Sequence, residues 1–231
     1  MTTVVLFDID GTLLASGGVG RRAMEGALHL HFGTIGPDDY RYDGKTDRQI
    51  VRELMRLSGF SDVDIDARMD ALLAEYLARL DLELADGPRG MRVHTGIPAL
   101  LDALEARADV LLGLLTGNIA GGAALKLGAA GIAPRRFRVG AFGSDHEHRS
   151  ELPAIAQARA SVMLGCGVVG SSVVIVGDTP ADVQCGRGIG ARAVAVATGH
   201  FSVADLAVHL PYAVFADFSD IDAAIDAICD A

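Results

Sequence analysis

Three pairs of polar residues, each at the end of an apolar run, carry the chemistry this sequence offers: Asp8 with Asp10, Thr116 with Asn118, and Asp178 with Asp182. The first pair follows Val4-Val5-Leu6-Phe7 and leads through Gly11 into Thr12, the second follows Val110 to Leu115, and the third follows Val173-Val174-Ile175-Val176-Gly177. Alternate residues of a strand face opposite sides, but the rule lapses where the chain turns through a glycine, so Asp8 and Asp10 can converge. Asp-Gly after an apolar run is also a turn signal, Thr116-Gly117-Asn118 reads equally as a turn, and Asp178 or Thr179 before Pro180 makes a sound helix start. Turns and caps do not account for so many carboxylates at one edge, because like charges raise each other's pKa and resist ionising together. A divalent cation removes that conflict. Mg²⁺ takes oxygen ligands from one or two carboxylates and accepts a substrate phosphate, whereas these strand ends lack the His and Cys donors that zinc prefers. Phosphoryl chemistry is therefore the expectation. Arg149 precedes Ser150, the expected cap of the next helix, where a cation is unfavourable unless an anion such as phosphate is bound; a surface arginine is the alternative.

These residues meet only if the strands that carry them are parallel neighbours. From Thr95 onward, helical and apolar strand segments alternate: a helix to about Arg107, the strand Val110 to Leu115, a helix from about Ala120 to Ala130, the strand Val139 to Phe142, and a helix from Glu151 to about Leu164. After Val173 to Val176 come a helix, the strand Ala193 to Ala197 and a final strand and helix. This alternation predicts a parallel sheet with helices on both faces, whose ligands bind at the carboxyl edge. Residues 19 to 84 read instead as all-helical. Gly20 to Phe32 carries Ala23, Met24, Ala27, Leu28 and His31 on one face; Thr46 and Gln49 form a capping-box pattern that opens a helix to about Ser58; and Arg68 to Leu84 shows one apolar stripe. The joints Ala15-Ser16-Gly17-Gly18 and Asp86-Gly87-Pro88-Arg89-Gly90 flank this block, which predicts a small domain, 16–88, inserted into a core made of 1–15 and 89–231.

Half of the 231 residues are hydrophobic, ample for a sizeable core, and the formal net charge of −10 opposes nucleic-acid or anionic-membrane binding as the main activity. The basic run Arg135-Arg136-Phe137-Arg138 is expected in a solvated loop. Cys166, Cys185 and Cys229 show no CxxC spacing, which suits a reducing cytoplasm and predicts buried small hydrophobes. The N-terminus has no basic leader pattern, and no apolar run reaches the length of a membrane span, so a soluble, unprocessed protein is expected.

Together, Asp8-x-Asp10-Gly11-Thr12, Leu115-Thr116-Gly117-Asn118, Arg149 and Gly177-Asp178-Thr179-Pro180-x-Asp182 resemble the four motifs of the haloacid dehalogenase superfamily, in order and spacing. The helical insertion after the first strand resembles its phosphoglycolate phosphatase-like branch. The resemblance implies an α/β fold with a three-layer, Rossmann-like parallel sheet core and an inserted all-helical cap domain. It implies that Asp8 attacks phosphorus and becomes an aspartyl phosphate, and that Asp10 serves as acid and then base. By the same resemblance Mg²⁺ is held by the Asp8 carboxylate, the Asp10 backbone carbonyl and the Asp178 carboxylate, with Asp182 behind them. Thr116, Gly117, Asn118 and Arg149 would bind the phosphoryl oxygens.

The third motif usually carries lysine; here Arg149 keeps the charge with a different geometry, and Lys126 competes for the place. Asp10 favours oxygen leaving groups over carbon–halogen or carbon–phosphorus cleavage. Gly44-Lys45-Thr46-Asp47 resembles a phosphatase cap loop and makes Lys45 and Thr46 candidate specificity residues, with a solvated lysine beside a capping box as the alternative. The implied function is a cytoplasmic, Mg²⁺-dependent phosphatase, monomer or homodimer, whose partner is a small phosphorylated metabolite and neither nucleic acid nor membrane. A phosphoglycolate-like acid comes first among substrates, then a nucleotide or sugar phosphate. A sugar-phosphate mutase of the β-phosphoglucomutase type is the rival enzyme; a catalytically silent binding protein is disfavoured by the intact Asp8 and Asp10.

Overall fold

The computed structural model describes residues 2–85, 87 and 89–229; Asp86 and Pro88 of the second joint lie outside the described residues. In chain order the first elements are β1 (Thr3–Phe7), β2 (Leu14–Ser16), α1 (Val19–Phe32), α2 (Asp47–Leu57), α3 (Asp62–Ala85), β3 (Met91–Val93), α4 (Ile97–Glu105), β4 (Val110–Thr116) and α5 (Ala120–Ala129). The rest are β5 (Val139–Phe142), α6 (Leu152–Leu164), β6 (Val173–Gly177), α7 (Pro180–Cys185), β7 (Arg192–Val196), α8 (Val203–Ala207), β8 (Ala213–Phe215) and α9 (Ile221–Cys229).

Six strands form one sheet in the order β5-β4-β1-β6-β7-β8, all pairs parallel. The chain starts at the centre, builds outward through β4 and β5, then crosses β1 to build the other half. Such a switch point opens a crevice at the carboxyl ends of the strands. Register sets which residues meet there: Phe7 lies beside Leu114 of β4 and Val176 of β6, so all three strands end together. Alternation along β1 splits the core into two faces. Val5 and Phe7 pack with α4, α5 and α9, whereas Val4 and Leu6 pack with α6 and the Cys185 end of α7. A central strand buried on both sides reads as an unbroken apolar run, as Val4-Val5-Leu6-Phe7 does.

Helices α1, α2 and α3 form the inserted cap and gather their own core, including Met24, Leu28, Leu54, Met69, Leu72 and Tyr76, to which Ile119 of the sheet domain adds. The cap is tied to the sheet domain by a two-stranded antiparallel ribbon in which Leu14 pairs with Val93 and Ser16 with Met91.

Several expectations are corrected. The first joint is not all loop, since its Ala15 and Ser16 belong to β2. The third cap helix begins at Asp62, not Arg68, because the Ser61 hydroxyl accepts the Asp64 N–H and starts the helix before the apolar stripe does. Ser150 caps nothing: Arg149–Glu151 form a 3-10 turn, and α6 begins at Leu152 with Pro153 in its first turn. In the basic run Arg135 and Arg138 are exposed, as expected of a solvated loop, and Arg136 pairs at the surface with Asp102 and Glu105. Cys185 is buried, but Cys166 is exposed just past the glycine that ends α6. Among the described residues no helix is long and apolar enough to cross a membrane.

Candidate active site

Asp8 leaves β1 with its N–H donating to the Val176 carbonyl, which fixes the first residue after the strand to β6. The turn then passes through Gly11 at φ 86°, where a Cβ would stand 2.2 Å from Asp178 Oδ2, so glycine alone lets this turn approach the end of β6. Thr12 donates its hydroxyl to Asp178 Oδ1 at 2.8 Å and locks the two strand ends together. Carboxylate oxygens of Asp8, Asp178 and Asp182, all buried, lie within 4.8 Å of one another. Asp182 is already engaged: one oxygen takes Arg149, the other takes the Thr179 N–H and hydroxyl in a capping box at the start of α7. Asp8 and Asp178 are the freer donors.

Arg149 is buried, 6% exposed, between Asp182 and Asp8; its Nη2 lies 3.3 Å from Asp8 Oδ2 and also meets the Leu115 carbonyl. Burial opposes its charge, but Asp182 and Asp8 hold it firmly protonated. Burial drives the Asp8 carboxyl up to about 6 even though Arg149 pulls it down. Asp178 is raised well above the usual range by burial, then by Asp182 and Asp8. Removing such a group of carboxylates from water is costly, and one arginine does not balance it. A hard divalent cation fits this donor set better than any further organic group would, since oxygen donors are what it takes.

Asp10 is differently placed. Its Oδ2 accepts from Asn118 Nδ2 at 2.9 Å and from Lys126 Nζ at 2.6 Å. Burial works against its ionisation, but Lys126, Asn118 and Ser16 outweigh it and hold the carboxyl below its ordinary value. Lys126 also reaches Asn118 Oδ1 at 2.6 Å and is 4% exposed. It therefore attends Asp10 rather than Asp8, and Arg149 takes the place beside Asp8. A lysine at helical spacing from Ala123 and Leu127, on the buried face of α5, is the signal that marks it in the sequence. Thr116 is fully buried, and its Oγ1 accepts from Asn118 Nδ2.

The cap closes one side. Lys45 lines the same cavity, with its ammonium held by Tyr40 and Glu53. Thr46 stands behind it, fully buried: its hydroxyl accepts the Gln49 N–H as the cap of α2 and donates to the Glu147 carbonyl at 2.6 Å. Asp47, to which the sequence motifs assign no role, donates its N–H to the Gly117 carbonyl and accepts the Ile119 N–H, each at 2.8 Å. Gly117 lies so near the cap loop that a Cβ there would stand 2.0 Å from the Lys45 carbonyl oxygen. The cavity, about 780 Å³ and open to solvent on one side, is lined by Asp8, Asp10, Thr116, Asn118, Arg149 and Asp178 on the sheet side and by residues of the cap on the other.

A HAD-hydrolase-like family model matches residues 151–221. A phosphoglycolate phosphatase of Rhodospirillum rubrum is 30% identical over 233 residues, covering 96% of this chain and 90% of its own. Among solved structures, a predicted phosphoglycolate phosphatase from Haemophilus somnus 129pt has a TM-score of 0.70 at 19% identity, covering 96% of this chain and 97% of that one. A hydrolase from Pseudomonas syringae has a TM-score of 0.71 at 18% identity, covering 99% of each chain. These two share the fold, and the Rhodospirillum relative extends the likeness to the sequence. The chain belongs to the haloacid dehalogenase-like hydrolases, in their phosphoglycolate phosphatase-like branch of phosphoric monoester hydrolases.

Proposed function

We propose that the chain is a Mg²⁺-dependent phosphatase that hydrolyses a small phosphorylated acid of the phosphoglycolate type through an aspartyl phosphate on Asp8. The observation that carries this reading is the approach of Asp8, Asp178 and Asp182 oxygens within 4.8 Å at the ends of β1 and β6, with Arg149 against them. Asp8, the Asp10 backbone carbonyl and Asp178 would hold the ion, with Asp182 supporting from behind through Arg149. Bound there, Mg²⁺ supplies positive charge for the carboxylates and for the transferring phosphoryl group.

Lys126 and Asn118 favour the Asp10 carboxylate before substrate binds, and the negative charge of a bound phosphate group beside it works the other way, favouring the protonated form. Asp8 attacks phosphorus as the ester P–O bond breaks, and that Asp10 proton goes to the departing alkoxide. Water then attacks the aspartyl phosphate, and Asp10 takes a proton from it. Lys126 and Asn118 keep the Asp10 carboxylate in place between the two steps. The Thr116 hydroxyl, the Gly117 and Asn118 amides and Arg149 bind the phosphoryl oxygens, where developing charge is greatest. Residues 16–88 act as the cap over a core of 1–15 and 89–231; closure through the Gly117–Asp47 contact sheds water, and Lys45 faces the substrate. Phosphate release from a panel of phosphorylated metabolites, with and without Mg²⁺, tests this. Asp8→Asn protein that still turns over would overturn the nucleophile.

A further inference from the structure

The basic side chains that line the cavity divide into two sets. Arg21 pairs with Glu25, Arg41 and His200 share Asp43, Lys45 pairs with Glu53, Lys126 with Asp10, and Arg149 with Asp8. Arg92 and His94 also line it, and among the described residues neither has a carboxylate partner. Their direction follows from the ribbon. Leu14 and its partner Val93 pack into the sheet core, so Ala15, its partner Arg92, and His94 face the other way, along the cavity wall. Arg92 is exposed to the cavity side without a hydrogen bond, whereas His94 is 7% exposed with a buried Nε2 that has no partner. Burial, and then Arg92 beside it, hold the imidazole below its ordinary value. A ring nitrogen without a partner suits a hydroxyl, and an unpaired guanidinium suits a carboxylate. The volume agrees: about 780 Å³ is the room of a pocket for a sizeable ligand, and a two-carbon acid fills a small part of it.

We infer that Arg92, with His94 beside it, forms the subsite for a second anionic group, a carboxylate, at the far end of the phosphorylated substrate, with an adjacent hydroxyl directed to His94. This rests on the phosphatase reading above and deepens it: the substrate class becomes a phosphorylated hydroxy acid longer than phosphoglycolate. A second phosphate is the other source of such a charge.

The test compares wild type, Arg92→Met, Arg92→Lys and His94→Gln on a phosphoglycerate, on the glycerol phosphate that differs from it only by hydroxymethyl in place of carboxylate, and on a sugar bisphosphate. Arg92→Met is expected to lower kcat/KM for phosphoglycerate about tenfold or more, chiefly through KM, and to change it less than about threefold for glycerol phosphate, the scale of one charge-assisted contact. Arg92→Lys should restore part of the loss. The melting temperature should not move, because Arg92 holds no ion pair. Equal losses on both monophosphates, or none, overturn the subsite. Loss confined to the bisphosphate overturns the carboxylate assignment. Wild-type protein that releases phosphate from none of the probes overturns the phosphatase reading and this inference with it, an outcome distinct from an active enzyme indifferent to Arg92.

Discussion

Lys126 Nζ lies 2.6 Å from Asp10 Oδ2, and this contact joins a helix of the sheet domain to the residue proposed to handle protons. The lysine is almost wholly buried and shares its remaining donors with Asn118. Lys126→Met leaves the carboxylate and the amide without their partner in a half-buried place. We expect kcat to fall at least tenfold, with a loss of about 1–3 kcal/mol in stability, smaller than for a fully buried pair because Asp10 reaches solvent. Steady-state kinetics and thermal melts check this; wild-type turnover by Lys126→Met would mean that Asp10 needs no such support.

A metal that answers the charge of Asp8 and Asp178 must also stabilise the fold. Mg²⁺ at a hundredfold excess over its Kd should add about 2.7 kcal/mol to unfolding, and a chelator should remove it along with turnover. Asp178→Asn should lose most of that gain while still melting cooperatively. If Asp178→Asn gains as much from Mg²⁺ as wild type, Asp178 is no ligand.

Much of this arrangement is legible in the chain because buried parallel strands announce themselves. Val4 to Phe7, Val110 to Leu115 and Val173 to Val176 are continuous apolar runs, and each gives way to polar residues, so the shared edge is visible in the sequence itself. The β2–β3 ribbon could not be read: each strand has three residues, and their partners lie more than seventy positions apart, beyond the reach of a local pattern. The role of Asp47 and the pairing of Lys126 with Asp10 were hidden for another reason. A lysine in a helix and an acid in a first turn are ordinarily solvated, and only the tertiary meeting of α2, α5 and the loop after β4 buries them.

Asp47 gives the pH dependence. Burial raises its carboxyl to about 6 against the downward pull of Lys126, while the unfolded chain keeps the ordinary value near 4. The folded state thus holds this proton more tightly, and wild type loses stability as pH rises from about 4 through about 6, with the full cost present above that. Asp47→Asn keeps an acceptor for the Ile119 N–H and escapes the cost. It should be the more stable protein at about pH 7.5, by on the order of 1–3 kcal/mol, with the advantage vanishing near pH 4. Urea unfolding across that range reads the difference, and a constant offset at every pH would contradict it.

Gly117→Ala probes the closed cap directly. The added methyl would stand 2.0 Å from the Lys45 carbonyl oxygen and 3.0 Å from the Thr46 Cα, both backbone atoms that cannot rotate aside. Either the cap loop withdraws or the loop after β4 moves, and both stretch the Asp47 N–H bond to the Gly117 carbonyl. Overpacking of this kind costs roughly 1–3 kcal/mol. Because the loop carries the proposed phosphoryl-binding amides and the cap sheds water, KM should rise and kcat should fall at least tenfold. Limited proteolysis should cut the variant faster near Gly17 and Gly18, where the chain enters the cap. Wild-type kinetics in Gly117→Ala would show that turnover does not require the cap to sit against this loop.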